Sequence, residues 1–394
     1  MRVIGMLSGT SHDAVDTALA ELSFTTSPAG TPGDTLLLRP MGLLSTPFPE
    51  QLRQELVSSL PPAATTMEQV CRLDTELGRL FGRAAHRALT ELAHGYADLV
   101  VSHGQTCFHR VEGRRTLGTL QLGAAGYVAQ ATGLPVVSDL RTRDVACGGG
   151  GAPLSATLDA LLLPGTGRHA ALNLGGIANL TVRDGTRIRA YDLGPANALI
   201  DAATRWASGG AEHQDTGGAR ARRGTVDRRL LARLRAEPYY RLPAPKTCGK
   251  ERFHVDYLLA HLDGRRVDPD AVITTVTELT ALLVADACRA HRPTTLTVSG
   301  GGVRNPVLMS RIRALAAPSE IRDSAVLGLP AQAKEAYLFA LLGFLTVHGL
   351  PGSLPAATGA RRPALLGSLT PGDGPLRLPE PAANMPRMLR VSQE

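Results

Sequence analysis

The sequence predicts an α/β protein with two duplicated domains, each a mixed sheet covered by helices, facing each other across an interdomain cleft. Three observations support this prediction. Apolar strands alternate with amphipathic helices along the chain, and each half opens with an apolar strand that turns through small residues and returns as a second strand. The length of 394 residues is also sufficient for two domains, each with its own core.

The first half is predicted to begin with three strands and two helices and then to alternate strands with helices. The predicted strands cover 3–7, 14–22, 35–45, 98–102 and 134–138, and the helices cover 50–60, 67–93, 124–132 and 153–163. The second half repeats this order with insertions. Its strands are predicted at 170–174, 177–182, 187–191 and 294–299, and its helices at 197–207, 226–235, 255–262, 275–291, 306–316 and 333–347.

These elements place the N-terminal domain at 1–140 and the C-terminal domain at 141–349, with a closing segment at about 350–369 that packs back on the first. Residues 370–394 are rich in Pro and Gly without apolar periodicity, which predicts a disordered tail.

Composition excludes several classes of protein. The net charge is +7, but the arginines are scattered and aromatic residues are only 4%, so no nucleic-acid partner is expected. The absence of an apolar run of eighteen residues predicts no membrane span. Five cysteines without a CxxC pair argue against disulfides and structural zinc, and they favour a reducing cytoplasm.

Two glycine-containing turns open the two halves in equivalent positions. The first follows strand 3–7 and contains Gly9, Thr10 and Ser11, and the second contains Gly175 and Gly176. Backbone N–H groups of such turns can bind phosphate oxygens, and a nearby carboxylate can order magnesium-bound waters. A tight hairpin explains either turn alone about as well, but two related turns fit a triphosphate held from both sides.

Two further motifs lie at strand ends in the second half. Asp192 ends a strand and is placed to act as a general base, with an ordinary pKa of about 3.9 that would need no tuning; helix capping explains it equally well. Gly300–Gly302 lie between a strand and a helix, where a purine ring can approach the backbone. A tight strand-to-helix turn is the alternative for that motif.

Several longer segments occur in the order found in one family. They are GMLSGTSHDAVD, SHGQT, LPVVSDLRTRDVACGGGGAPL, LNLGGIANLT, DLGPANALID, KTCGKERF, SGGGVRNPVLM, KEAYLFALLGFL and LPAATGARRPALLGSL. Together they span about residues 1–369, and on them the chain resembles the anhydro-N-acetylmuramic acid kinases. The resemblance implies two actin-like (ribonuclease H-like) domains in a cytoplasmic homodimer. It also implies a kinase that uses ATP and Mg²⁺ to open 1,6-anhydro-N-acetylmuramic acid with water and to phosphorylate O6 during peptidoglycan recycling.

The resemblance also implies site residues. Asp192 is the catalytic base. ATP is expected to contact the segment Gly9, Thr10, Ser11, His12, Asp13, Ala14, Val15 and Asp16 and the positions Gly175, Gly176, Asn179, Gly300, Gly301, Gly302 and Asn305. The sugar is expected to contact His103, Gln105, Arg141, Asn197 and Glu335. No direct protein ligand to the metal is expected; Mg²⁺ is held through waters, with Asp13 as the nearest carboxylate.

This chain departs from the family pattern at a few positions. His12 and Ala14 stand where the family has Leu and Gly, and Cys248 and Lys250 stand where it has Thr and Arg. Asp159 occupies a position where a histidine is expected. The preferred anhydrosugar therefore stays open at this stage. The alternatives are a kinase for another anhydrosugar such as levoglucosan, or an ATP-binding regulator without sugar kinase activity.

Overall fold

The computed structural model describes residues 1–9, 12–25, 35–61, 63–112, 115–249, 252–330 and 333–392. The chain divides into two compact units. The first contains Met1–Leu162 and Leu327–Glu394, so it is built from both ends of the chain, and the second contains Leu163–Val326. The second unit is therefore one continuous segment that interrupts the first in sequence.

The strands are numbered along the chain. They are β1 (Arg2–Ser8), β2 (Ala14–Thr25), β3 (Thr35–Pro47), β4 (Leu99–Ser102), β5 (Gln105–Glu112), β6 (Arg115–Leu122), β7 (Val136–Ser138), β8 (Arg168–Leu174), β9 (Ile177–Asp184), β10 (Arg187–Pro195), β11 (Thr295–Ser299), β12 (Glu320–Asp323), β13 (Ser368–Thr370) and β14 (Met388–Val391).

The helices are numbered in the same way. They are α1 (Glu50–Ser59), α2 (Met67–Glu91), α3 (Ala125–Thr132), α4 (Thr142–Ala146), α5 (Ser155–Leu162), α6 (Asn197–Ala207), α7 (Ala219–Arg223), α8 (Arg228–Arg235), α9 (Val255–Leu262), α10 (Pro269–His291), α11 (Pro306–Leu315), α12 (Lys334–Val347) and α13 (Pro355–Thr358).

Both units contain the same arrangement of strands. In the first, among the described residues, the sheet order is β13-β7-β4-β1-β2-β3-β14, with β1, β2 and β3 antiparallel and β4 and β7 parallel to β1. In the second the order is β10-β9-β8-β11-β12, again with three antiparallel strands followed by two parallel ones. The internal duplication, the α/β class and the actin-like fold are thus confirmed.

The first unit has a hydrophobic core on each face of its sheet. Along β1 the side chains alternate, so that Val3 and Leu7 pack on the α12 side while Ile4 and Met6 pack on the α2 side. Helix α12 lies directly against the sheet, because a Cβ at Gly5 would come within 2.2 Å of the Ala336 carbonyl oxygen. Only glycine permits that approach.

The second unit has one core that joins its sheet to the surrounding helices. Leu172 and Leu180 from the strands pack with Val276 and Leu283 of α10 and with Leu308 of α11. By length and composition alone α10 could cross a membrane. However, 83% of its most apolar stretch is buried inside the protein, which is the behaviour of a core helix.

The predicted domain boundaries and tail require correction. The first unit extends to Leu162 and regains the chain at Leu327, because α12 packs on β1 and therefore belongs to the first unit instead of the second. The segment predicted as a disordered tail contains β14, which pairs in parallel with β3 from Met388↔Thr35 to Val391↔Leu38. Pairing with β3 therefore orders part of this segment, although its Pro-rich sequence alone does not predict a strand.

Candidate active site

Asp192 lies near the end of β10 and its carboxylate is held in one orientation. The β10–β9 register shifts between Asp192 and Gly194, and Asp192 is only 6% exposed. Asn179 Nδ2 donates to Oδ1 at 2.9 Å, and the Cys248 backbone N–H donates to Oδ2 at 2.9 Å. Asn173 Nδ2 donates in turn to Asn179 Oδ1 at 3.1 Å, which fixes the orientation of that amide. Each carboxylate oxygen thus keeps further acceptor capacity for a substrate or water.

Helix capping does not explain Asp192. The N-cap position of α6 is Ala196, and that helix has no side-chain cap. The carboxylate faces Asn179 on β9 and the segment at Cys248 instead. This geometry supports the general-base interpretation over the capping alternative.

The expectation of an ordinary pKa for Asp192 was wrong. Burial raises the pKa of Asp192 to about 6, and the Cys248 amide, the Asn179 amide and the Lys246 ammonium lower it by less than burial raises it. Desolvation disfavours the charged form of a carboxyl group. Asp192 is therefore a stronger base than an exposed aspartate and is still mostly ionised at neutral pH.

The glycine turns of the second unit meet at the same end of its sheet as Asp192. The carbonyls of Gly175 and Gly176 accept hydrogen bonds from Asn197 and Ala196 at 3.0 and 2.9 Å, which ties the turn to the start of α6. Asn197 itself donates through Nδ2 to the Leu174 carbonyl at 3.1 Å.

The turn after β11 packs closely on this region. Gly300 has φ +89°, and a Cβ there would lie 2.5 Å from Asn173 Oδ1; a Cβ on Gly302 would lie 2.7 Å from the Leu174 Cβ. Side chains are therefore excluded from both positions. The structure thus places Gly175, Gly176, Asn197 and Gly300–Gly302 at the same end of the sheet as Asp192, and among these predicted residues it brings Asn179 into direct contact with the Asp192 carboxylate.

Asn305 has a structural role in this region. Its Oδ1 accepts hydrogen bonds from the Val307 and Leu308 N–H groups at 3.1 and 3.2 Å and so caps α11. The side chain is 8% exposed. Its predicted contact with ATP stays a prediction, and the capping geometry leaves only the amide nitrogen for such a contact.

The first turn contributes a short segment between β1 and β2, in which Thr10 and Ser11 lie outside the described residues. His12 has φ +56°, so a histidine occupies the left-handed backbone position of this turn, and its N–H donates to the Gly9 carbonyl at 3.3 Å. Asp13 is exposed, with its carboxylate 3.7 Å from Arg53 Nε.

The remaining residues of that segment belong to β2. Ala14 pairs with Pro47 of β3, and Val15 is fully buried in the core, so only its backbone can reach a ligand. Asp16 is half-buried, and burial raises its pKa while a hydrogen bond from Ser45 lowers it. The two carboxylates of the segment therefore differ, since Asp13 faces solvent and Asp16 lies partly inside.

Arg141 and His103 form a rigid polar pair in the first unit. Arg141 donates from Nε to His103 Nε2 at 2.8 Å and from Nη1 to the Gly151 carbonyl at 2.6 Å. His103 is 5% exposed, and burial, followed by the Arg141 charge, lowers its pKa to about 3. The ring is therefore neutral, with its Nδ1–H directed to the Gly104 carbonyl at 3.0 Å. Histidine thus serves as an acceptor that orients the guanidinium.

Glu335 completes this group. Surrounding protein atoms raise the pKa of Glu335, although its side chain is exposed. The positive charges of Arg141 and Lys334 lower this pKa, and the negative charge of Asp16 raises it. Burial lowers the pKa of Arg141 to about 10, opposed by Glu335 and Asp144. The structure therefore brings His103, Arg141 and Glu335 together, with Asp16 within electrostatic range.

Gln105 is not brought to this group as an accessible side chain. It is 1% exposed, and its Nε2 donates to the Thr106 carbonyl at 3.1 Å. Its Oε1 is buried without a hydrogen-bond partner among the described residues, and its predicted sugar contact stays a prediction.

Several residues near these groups were missed in the sequence. Lys246 and Tyr239 contact Asp192 through the backbone. Lys334 forms a buried ion pair with Asp159, 2.5 Å between Nζ and Oδ1. One signal was available for both lysines: with Lys250 they are the only lysines in a chain with 42 Lys and Arg residues.

Comparison with known proteins shows which proteins this chain is similar to. The family model described as anhydro-N-acetylmuramic acid kinase matches residues 1–372. The chain is 57% identical over 396 residues to a protein named anhydro-N-acetylmuramic acid kinase from Streptomyces coelicolor, with 99% of each chain covered. It is 48% identical over 401 residues to one of the same name from Rhodococcus erythropolis, again with 99% of each covered. Similar solved structures include a ROK family glucokinase from Streptomyces griseus in complex with glucose and AMPPNP, at 15% identity and TM-score 0.34, covering 86% of this chain and 97% of that one.

Proposed function

The chain belongs to the anhydro-N-acetylmuramic acid kinase family, and from that premise we propose which of its residues perform the family's reaction. The enzyme is an ATP-dependent phosphotransferase with an alcohol group as acceptor. Water adds to C1 of the anhydrosugar, the C1–O6 bond breaks, and O6 takes the γ-phosphoryl group from ATP. The products are N-acetylmuramic acid 6-phosphate and ADP. A levoglucosan kinase or a regulator without kinase activity is not favoured, because relatives 48–57% identical over nearly the whole chain carry the kinase name.

Asp192 takes the proton from the attacking water. The observation that carries this proposal is the buried carboxylate whose oxygens each accept one hydrogen bond, from Asn179 and from the Cys248 N–H, and retain acceptor capacity. Its pKa of about 6 combines ionisation at neutral pH with raised basicity. Asn179 and Asn173 hold the carboxylate toward one position.

The glycine turns bind the phosphates through their backbone N–H groups. In the second unit these are Gly175–Gly176 and Gly300–Gly302, and a side chain would not fit at Gly300 or Gly302. In the first unit they belong to the segment 9–16. Mg²⁺ fits Asp13 and Asp16 through bound waters, since carboxylate oxygens are suitable partners for it. When bound, the ion neutralises charge on the triphosphate during transfer.

Arg141 and Glu335 bind the sugar. His103 and the Gly151 carbonyl hold the Nε and Nη1 groups of Arg141, so its remaining N–H groups are presented in a set direction. A forked guanidinium suits the lactyl carboxylate of a muramic sugar. We also propose that the enzyme is a cytoplasmic homodimer that binds neither nucleic acid nor membranes.

Replacing Asp192 with Asn tests the assignment of the base. Asp192→Asn is expected to retain ATP binding and to lose about 10² to 10⁴ in kcat, which is what a general base contributes. The assay couples ADP release with 1,6-anhydro-N-acetylmuramic acid and weighs the product made in heavy-oxygen water. Wild-type product should contain one heavy oxygen.

Asp201→Asn is the matched control. Asp201 belongs to the same unit, and burial likewise raises its pKa to about 6, but it lies on α6 away from the contacts described for Asp192. Its replacement should leave kcat unchanged. Wild-type turnover in Asp192→Asn would remove Asp192 from the mechanism.

A further inference from the structure

Three residues of the second unit form a closed ring of hydrogen bonds around the candidate base. The Asp192 N–H donates to the Lys246 carbonyl at 3.0 Å. Lys246 Nζ donates to the Tyr239 carbonyl at 3.1 Å, and the Tyr239 hydroxyl donates to the Asp192 carbonyl at 2.9 Å. Each residue thus holds the next, and both backbone polar groups of Asp192 are engaged.

The lysine of this ring is buried in an unusual setting. Lys246 is 9% exposed, and its ammonium also donates to the Tyr240 carbonyl at 3.0 Å. It lies 4.7 Å from the centroid of the Tyr239 ring and 5.8 Å from that of Tyr191. Among the ion pairs formed by described residues, none involves Lys246. Backbone carbonyls and aromatic faces therefore balance its charge.

The Lys246 ammonium lies close to the contacts of the Asp192 carboxylate, because the segment that contains Lys246 also supplies a backbone amide that binds this carboxylate. Cys248, two residues after Lys246, donates its N–H to Asp192 Oδ2. The titratable groups facing Asp192 are Lys246 and Cys248 on this segment and Tyr239 on the short helix Pro238–Arg241, while β9 contributes the neutral Asn179. Lys246 is the cation among them, and it and Asp192 each favour the other's charged form.

We propose that Lys246 is a positioning residue for Asp192: its ammonium ties the segment 239–248 into one unit that fixes the carboxylate, and its charge favours the ionised base. This inference rests on the proposed role of Asp192. It also explains why a chain rich in arginine has a lysine at this position. The compact ammonium group can donate to the Tyr239 and Tyr240 carbonyls next to the aromatic rings, whereas a planar guanidinium group is larger and has a different donor geometry.

The test compares Lys246→Met, Lys246→Arg and Tyr239→Phe with wild type over a range of pH. Lys246→Met should lower kcat about 10- to 100-fold, the scale expected for misplacing a reacting group by about 1 Å, with an unchanged KM for ATP. The acid limb of its kcat/KM profile should also move to higher pH. Lys246→Arg, which keeps the charge, should restore the acid limb to that of wild type.

Tyr239→Phe separates position from charge. It removes the donor to the Asp192 carbonyl while keeping the ring and Lys246, so kcat should fall with the acid limb unchanged. A purely structural lysine predicts instead that Lys246→Met unfolds more easily but that the folded enzyme keeps the wild-type kcat and acid limb. That result would overturn the inference. If Lys246→Met does not fold, wild-type kcat in Tyr239→Phe together with a shifted acid limb in Lys246→Arg would overturn it equally.

The two levels of the proposal fail differently. Turnover by Asp192→Asn would reject Asp192 as the base, and with it the role of Lys246. An inactive Asp192→Asn combined with a wild-type pH profile in Lys246→Met would reject the role of Lys246 alone.

Discussion

Asp192 and His103 are both buried, and burial moves their pKa values in opposite directions, because it disfavours whichever form carries charge. The pKa of His103 falls to about 3, so the ring stays neutral and can accept a hydrogen bond from Arg141. The pKa of Asp192 rises to about 6, so the carboxylate gains basicity. One physical effect therefore produces a neutral hydrogen-bond acceptor in the first unit and a carboxylate of raised basicity in the second.

The pKa of Asp192 predicts the pH dependence of the reaction. Protonation removes the base, so kcat/KM for the sugar should be constant above about pH 6 and fall tenfold per pH unit below it. An aspartate with an ordinary pKa near 3.9 would sustain activity to about pH 4. Initial rates of ADP release between pH 4.5 and 8.5, with enzyme stability checked at each pH, measure the difference. An acid limb near pH 4 would show that Asp192 is better solvated than its burial indicates.

The sequence assigned roles to individual residues, and those roles stay predictions, but it could not predict the environments of these residues. The motif around Asp192 marked it as a base, and Arg141 and Glu335 were marked for the sugar. The raised pKa of Asp192 could not be predicted, because the residues that bury and bind it are distant: Cys248 is 56 positions away in the chain. Gln105 was predicted as a sugar contact from its motif, which likewise gave no indication that its side chain is almost completely buried.

Among the elements, α12 and α5 are joined by a buried charge pair. Lys334 is the first residue of α12, where a positive charge opposes the helix dipole. Its Nζ lies 2.5 Å from Asp159 Oδ1, and the two side chains are 10% and 5% exposed. The pair also holds a positive charge next to Glu335, whose pKa Lys334 lowers. Asp159 thus supports the start of α12 at the point where Glu335 projects.

Breaking this pair on one side should be costly. Asp159→Leu leaves the Lys334 ammonium buried without its carboxylate and is expected to lower the free energy of unfolding by about 3–5 kcal/mol. Asp159→Leu with Lys334→Met removes both charges and should recover most of that loss. Urea unfolding followed by circular dichroism measures both variants.

An exposed pair provides the control for that prediction. Arg79 and Glu76 are 2.7 Å apart on the surface of α2, so Glu76→Gln should change the free energy of unfolding by less than about 1 kcal/mol. A small loss in Asp159→Leu, similar to that in Glu76→Gln, would mean that solvent reaches Lys334.

The strands β5, β6 and β14 were not predicted from the sequence, because their formation depends on the strands with which they pair. The hairpin β5–β6 was not predicted, and its strands carry exposed apolar residues such as Phe108 and Leu120 instead of a clear inside–outside alternation. Strand β14 is four residues long in a Pro-rich segment and pairs with β3, more than three hundred positions earlier. Long periodic helices such as α2 were predicted almost to the residue, because an amphipathic pattern of that length is a local property.

For the whole molecule, duplication was predicted correctly and the boundaries were not. Each half of the sequence begins with an apolar strand, a turn of small residues and a second strand, so two equivalent sheets could be expected. The return of the chain to the first unit at Leu327 could not be predicted, because the sequence of α12 is apolar along most of its length and is compatible with packing in either core. Its assignment depends on the fit of Gly5 against Ala336, a contact across most of the chain.

This topology predicts different folding behaviour for the two units when they are separated. Residues 163–326 are continuous and contain a complete core, from Ala170 on β8 to Ala316 after α11. As an isolated fragment they should unfold cooperatively in urea, with native helix and sheet content by circular dichroism. Residues 1–162 alone lack α12, which covers one face of β1, and should not fold. Co-expression of 1–162 with 327–394 should restore a folded complex; a soluble, cooperatively unfolding fragment 1–162 on its own would contradict the role given to α12.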